Sequence, residues 1–165
     1  MDEIKLDIGC GFSKDPEWLG VDKREECKPD ILIDLEYEDL TSGPRLLWDS
    51  ITEIKCWDFL EHITPLRGIE LMQQFWELLK PGGILDIRVP STDGRGAFQN
   101  PLHVSSWNKN SFLYYLVPAM KKEIGFEGNF APISIYDQIT GDQVIHTFVK
   151  FEAIKEGIGG QADES

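Results

Sequence analysis

Short alternating apolar runs mark the first third of the chain. Leu6 and Ile8 alternate with Lys5 and Asp7, which predicts a strand over residues 4–8. A second run ending on Asp22 predicts a strand over 19–22, and a third, closed by Asp34 and Glu36, spans 31–35. A fourth falls at 53–58. Ile69, Met72, Phe75, Trp76 and Leu79 then recur at helical spacing, with Thr64 placed to cap the helix and Pro65 at its first position. Lys80-Pro81-Gly82-Gly83 is a stop and turn before a strand at 84–89. After a polar stretch over 91–107, Asn108 caps a helix running to about Val117, with Phe112, Leu113, Leu116 and Val117 as its stripe. Strands over 130–138 and 143–155, joined at Thr140-Gly141-Asp142, form an antiparallel hairpin. Ile133 and Ile135 share one face of the first, and Ile145, Thr147, Val149 and Phe151 one face of the second.

Strands alternating with crossovers predict an α/β fold with a mostly parallel sheet and an antiparallel C-terminal strand. The first two crossovers are too short for helices, which need about a dozen residues with their turns, and Pro29 disfavours helix at Lys28. One sheet face is therefore thinly covered, and a partner subunit in a homo-oligomer or the chain's own loops are expected to fill the gap. Residues 37–52 read as irregular, broken at Gly43-Pro44, with Leu46, Leu47 and Trp48 as an apolar cluster. The organisation is one domain over 1–156 and a flexible tail over 157–165.

Charge narrows the partners. Sixteen Lys and Arg against 29 Asp and Glu give −13, which opposes phosphate-backbone binding and argues against nucleic acid. No apolar run reaches the ~20 residues of a membrane span, and a soluble, cytoplasmic protein is expected. Cys10, Cys27 and Cys56 form no CxxC pair, so neither a metal site nor a disulfide framework is expected.

The chemistry concentrates after the first two strands. Gly9 and Gly11 let the backbone turn and approach a ligand closely, and Asp22 ends the neighbouring strand. A glycine turn beside an acid at the carboxyl ends of parallel strands suits a nucleoside, the acid accepting from both ribose hydroxyls. Gly9-Cys10-Gly11-Phe12-Ser13-Lys14 departs from GxGxxG at Lys14, and the short crossover supplies no good helix N-terminus for a pyrophosphate. NAD and FAD are disfavoured; a phosphate-free cofactor such as S-adenosylmethionine is not.

LDIGCG, GVD, PDILIDLE, FLEHI and LLKPGGILDIRVPS, in that order over residues 5–91, resemble the class I S-adenosylmethionine-dependent methyltransferases of the type 11 branch, small enzymes of Rossmann-like fold. The stretch around Asn100, Pro101, Leu102, His103 and Val104 resembles one subgroup. The resemblance implies S-adenosylmethionine as cofactor and methyl transfer to a small-molecule or saccharide-like acceptor. Gly9, Cys10 and Gly11 would border its methionine part, Asp7 would help hold the amino group, and Asp22 would take the ribose. Asp34 and Leu35 would flank the adenine. Asp58 and Phe59 would face the cofactor, with His62 slightly further away. His103, near Asn100, Ser105, Ser106 and Trp107, is the candidate catalytic base. Plainer roles compete: Asp34 as a turn residue, Glu61 as a solvated charge, His62 as a packing histidine, His103 as a loop anchor, His146 as structural. Two rival functions are a non-catalytic module of the same fold and another nucleoside-dependent α/β enzyme.

Overall fold

The structure, a computed structural model, describes residues 3–42, 48–141 and 143–156. The sequence-predicted breaker at Gly43-Pro44, Leu46 and Leu47, the turn residue Asp142 and the tail lie outside them. Seven strands form one sheet: β1 (Ile4–Ile8), β2 (Leu19–Asp22), β3 (Ile31–Leu32), β4 (Ile51–Trp57), β5 (Leu79–Pro90), β6 (Phe130–Ile139) and β7 (Ile145–Ala153). Their order is β3-β2-β1-β4-β5-β7-β6. The first five are parallel, and β7 runs antiparallel to both β5 and β6. The helices are α1 (Pro65–Leu78), α2 (Gly96–Gln99) and α3 (Pro118–Ile124), with a 3-10 segment over Lys109–Tyr115.

The strand order explains why the two faces differ. From β1 the chain steps outward to β2 and β3, then returns to β4 and steps the other way to β5. Right-handed crossovers place these two sets of connections on opposite faces. Among the described residues, only the β4-to-β5 crossover carries a long helix. α1 packs Leu71, Met72, Phe75 and Leu78 against Leu6, Ile8, Ile54, Cys56, Leu85, Ile87, Val149 and Phe151. Phe112 and Tyr115 of the 3-10 segment extend that core.

The opposite face holds charge instead. Lys55 Nζ lies 3.0 Å from Asp7 Oδ2, Lys150 Nζ 3.3 Å from Asp86 Oδ2, and Lys5 Nζ 3.7 Å from Glu53 Oε2. Trp57 donates from its indole to Asp86 at 2.9 Å. Trp18, from the first crossover, lies under the ammonium groups of Lys5 and Lys55 at 5.5 and 5.1 Å. The chain's own loop thus covers part of the gap left by the missing helix.

Several expected boundaries shift for local reasons. β3 stops at Leu32, because Asp34 opens a turn: its carbonyl accepts from Tyr37 and Glu38, and its side chain accepts from the Glu36 N–H. The Lys80-Pro81-Gly82-Gly83 turn lies inside β5 as a bulge, between the pairs Ile51↔Leu79 and Glu53↔Ile84, with Gly82 at φ +77°. Thr64 is the N-cap residue of α1, but its side chain makes no capping bond; its hydroxyl and N–H both donate to Glu36. The core face of α1 includes Leu71 and Leu78, and Ile69 is only half-buried. The helix from Asn108 is a 3-10 turn held by a reciprocal cap with Ser111. A register shift between Pro132 and Ser134 leaves Ile133 exposed while Ile135 packs on the core.

Candidate functional site

Two groups of side chains stand at the carboxyl edge of the parallel strands. The first is built on β1 and β2. Gly9 and Gly11 both adopt positive φ, +68° and +54°. Side chains rarely adopt this conformation, and glycine does so without strain. Gly9 also admits the Phe59 ring; a Cβ there would lie 2.7 Å from its Cδ2. Gly9 and Cys10 donate their N–H groups to the Val21 carbonyl, which ties the turn to β2. Asp22, 7% exposed, accepts from the Gly11 N–H at 2.9 Å and from the Arg24 N–H at 2.9 Å. The Arg24 guanidinium completes the set, with Nε 3.2 Å from Asp22 Oδ1, and rests 5.6 Å from the centre of the exposed Phe12 ring. Burial alone would raise the Asp22 carboxyl, but these hydrogen bonds outweigh it and hold it below the ordinary value.

The neighbouring residues are engaged within the chain. Asp7 is buried on Lys55, and burial raises its carboxyl despite that cation. Cys10 packs in the space over Gly20, and burial pushes its thiol up to about 11, so it is an inert, protonated group. Leu35 is part of the core, and Asp34 sits 3.6 Å from Lys23 Nζ. Asp58, at positive φ, pairs with Arg88 and lies 3.2 Å from His146 Nε2.

The second group follows β4 and β5. The chain after β4 turns through a 3-10 segment over Leu60–His62. The long polar stretch after β5, which includes α2, is ordered against it. Val104 and Ser105 donate their N–H groups to the Glu61 carbonyl at 2.8 and 3.2 Å, and the Ser105 hydroxyl donates to the Leu60 carbonyl at 2.8 Å. The Trp107 indole N–H reaches Ser105 Oγ at 2.8 Å, and its ring stacks on Phe112. These ties set His103 beside His62, their rings 4.9 Å apart and nearly perpendicular. Each histidine places Nδ1 3.2 Å from a backbone carbonyl, His62 at Leu102 and His103 at Ala97. The loop-anchoring role of His103 is thus realised through Nδ1.

Glu61 corrects the expectation of a solvated charge. It is 2% exposed, and its Oε2 is buried without a hydrogen-bond partner among the described residues. Burial pushes its carboxyl up to about 8. The sequence reading missed this residue because Glu61 is polar and lies beside a helix start. The discoverable signal was the adjacent Glu-His pair after one parallel strand facing a histidine in the long loop after the next.

The strand order, the mostly parallel sheet and the reversed β7 are those of the S-adenosylmethionine-dependent methyltransferases, and the chain has their fold. It is similar to a variant of a 16S rRNA adenine methyltransferase from Catenulisporales acidiphilia, at 13% identity over 93% of this chain and 86% of that one, with a TM-score of 0.62. A SAM-dependent methyltransferase from Archaeoglobus fulgidus matches at 15% identity, covering 91% of this chain and 86% of its own, also with a TM-score of 0.62. A third, the Burkholderia thailandensis 1,6-didemethyltoxoflavin-N1-methyltransferase with bound 1,6-didemethyltoxoflavin and S-adenosylhomocysteine, matches at 12% identity over 92% and 71%, with a TM-score of 0.60. No protein-family model and no curated protein matches the chain.

Proposed function

We propose that this protein is an S-adenosylmethionine-dependent methyltransferase acting on a small-molecule or saccharide-like acceptor. The observation that carries the reading is the Gly9–Gly11 turn joined to Asp22 through the Gly11 N–H, at the ends of adjacent parallel strands. The residues fit such a cofactor. The positive-φ glycines present backbone without side chains, and the Asp22 carboxylate is held ionised with its position fixed by backbone donors. The Arg24 guanidinium, on a half-exposed side chain, is the group a ribose would displace from Asp22.

Bound there, the cofactor supplies an electrophilic methyl group on a sulfonium. The chain's share is to orient the two reactants and exclude water. Phe59 over Gly9 walls the turn, and the loop carrying His103 is tied to the carbonyl of Glu61, two residues beyond Phe59. The net charge of −13 disfavours an RNA acceptor of the kind named for the Catenulisporales enzyme. It leaves uncharged or cationic small molecules.

A second reading, a binding module without turnover, is favoured by the way Arg24 already occupies Asp22. Calorimetry with S-adenosylhomocysteine decides first: saturable binding is expected, and no binding overturns the proposal. Binding with no methylation across a broad acceptor panel would favour the module.

A further inference from the structure

We infer that Glu61, His62 and His103 form a binding site for a divalent transition-metal ion. One carboxylate and two imidazoles are a donor set suited to zinc and its first-row neighbours. Their candidate ligand atoms lie within 4.8 Å of one another. Three donors at ~2.0–2.2 Å from one zinc ion stand closer together than that limit, so the side chains would draw in on binding.

Three independent features mark the cluster as built for an ion. A carbonyl oxygen can only accept, so each Nδ1 at 3.2 Å from a carbonyl carries the hydrogen. Both Nε2 atoms are then left with free lone pairs. This is how metal-binding histidines are oriented, by donating the other ring N–H to a backbone carbonyl. Glu61, the third residue, has its Oε2 buried with no partner among the described residues, and leaving a buried oxygen unpaired carries a desolvation cost. A cation removes that cost. The loop carrying His103 is also stapled to the backbone of Glu61 itself, through Val104 and Ser105. The donors from two separate stretches of chain are therefore held in register. His62 is exposed, so the site opens to solvent on one side.

Three protein ligands leave open positions. A bound ion would take an acceptor oxygen there and lower the pKa of its hydroxyl, which supplies an activated nucleophile without a side-chain base. That role rests on the proposed methyl transfer; the site itself does not. It also reassigns His103, from a proton acceptor to a ligand.

The test uses the full chain, stripped by chelator and titrated with Co²⁺ alone, followed by visible absorption and calorimetry, with Zn²⁺ as competitor. Uptake of about one ion per chain is expected, with Co²⁺ bands that Zn²⁺ removes. His62→Ala and His103→Ala should each weaken it at least about tenfold, and Glu61→Gln should do so as well. His62 is exposed, so its variant keeps the core, and circular dichroism checks the fold. No uptake, or equal uptake by the double variant His62→Ala/His103→Ala, overturns the inference. S-adenosylhomocysteine binding measured on the same metal-free samples separates failure of this site from failure of the cofactor reading.

Discussion

The two polar clusters at the strand ends solve the same problem in opposite ways. Each places a carboxylate out of water beside a turn. Around Asp22, the chain supplies the donors: two backbone N–H groups and the Arg24 guanidinium. Around Glu61, the described residues supply none to Oε2, and two imidazole lone pairs are left nearby. The first carboxyl is held low and the second is pushed up. A satisfied carboxylate is a device for presenting fixed negative charge to a neutral ligand. An unsatisfied one is a device for holding a cation. The difference lies in what surrounds the side chains rather than in their type.

The sharpest way to break this contrast is to remove each carboxylate. Asp22→Ala loses a charge-assisted acceptor, and S-adenosylhomocysteine should bind more weakly by roughly 1.5–3 kcal/mol, read by calorimetry. The same change leaves the Gly11 N–H without its partner, so the melting temperature should fall. Glu61→Met should do the reverse to the metal-free protein. It replaces an unpaired buried oxygen by apolar atoms of similar length, and should raise stability by about 1–2 kcal/mol in a thermal melt. The variant should also take up no metal. A lower melting temperature for Glu61→Met would mean that the carboxyl is satisfied, and the contrast would fail.

Acid titration is a gentler probe of the same difference. The folded Asp22 carboxyl lies below its unfolded value, so its proton binds more tightly in the unfolded chain. Its stabilisation is present above about pH 4, the ordinary carboxyl range, and is lost as pH falls through the folded value. Asp30 and Asp39 follow the same sign, held low by the Gly20 N–H with Lys14 and by Arg67 with Gln74 respectively. Melting curves of wild type and Asp22→Asn should therefore converge as pH drops below about 4. A gap that stays constant with pH would remove Asp22 from the acid response.

These contrasts were unequally legible in the sequence. The ends of β1 and β2 fell where the short apolar runs and the glycine turn placed them, because strand-type apolar positions and positive φ leave direct marks on residue choice. α3 was invisible to a search for apolar stripes, since none of its residues is buried; its local signals were Pro118 at its start, Lys121 and Lys122 in its last turn, and Gly125 in the left-handed region at its end. The β5 bulge was hidden because a Pro-Gly-Gly run reads as a turn whether or not the strand resumes its pairing beyond it. The place of Asp22 beside the glycine turn could be read from its neighbours in the chain. The Glu61, His62 and His103 cluster left a fainter mark, a Glu-His pair after one strand and a histidine in the later loop; the backbone bonds that bring His103 back to Glu61 are silent in any side-chain pattern. The Arg24 contact is equally silent in sequence.

That contact gives the smallest effect and the clearest sign. Arg24 is half-exposed, and its guanidinium sits on the carboxylate that the proposed ribose would use. An ion pair at such a position is worth only about 0.2–1 kcal/mol in water. If ribose and guanidinium compete for Asp22, Arg24→Ala relieves the competition, and S-adenosylhomocysteine should bind up to about fivefold more tightly. The backbone donors from Gly11 and from residue 24 remain, so Asp22 keeps its orientation and its ionised state. If Arg24 instead contacts the ligand, the same substitution weakens binding. Calorimetry on the single variant reads the sign directly, and the double variant Asp22→Ala/Arg24→Ala checks the cause. With the carboxylate gone, removal of the guanidinium should no longer tighten binding, because there is nothing left for the two to share.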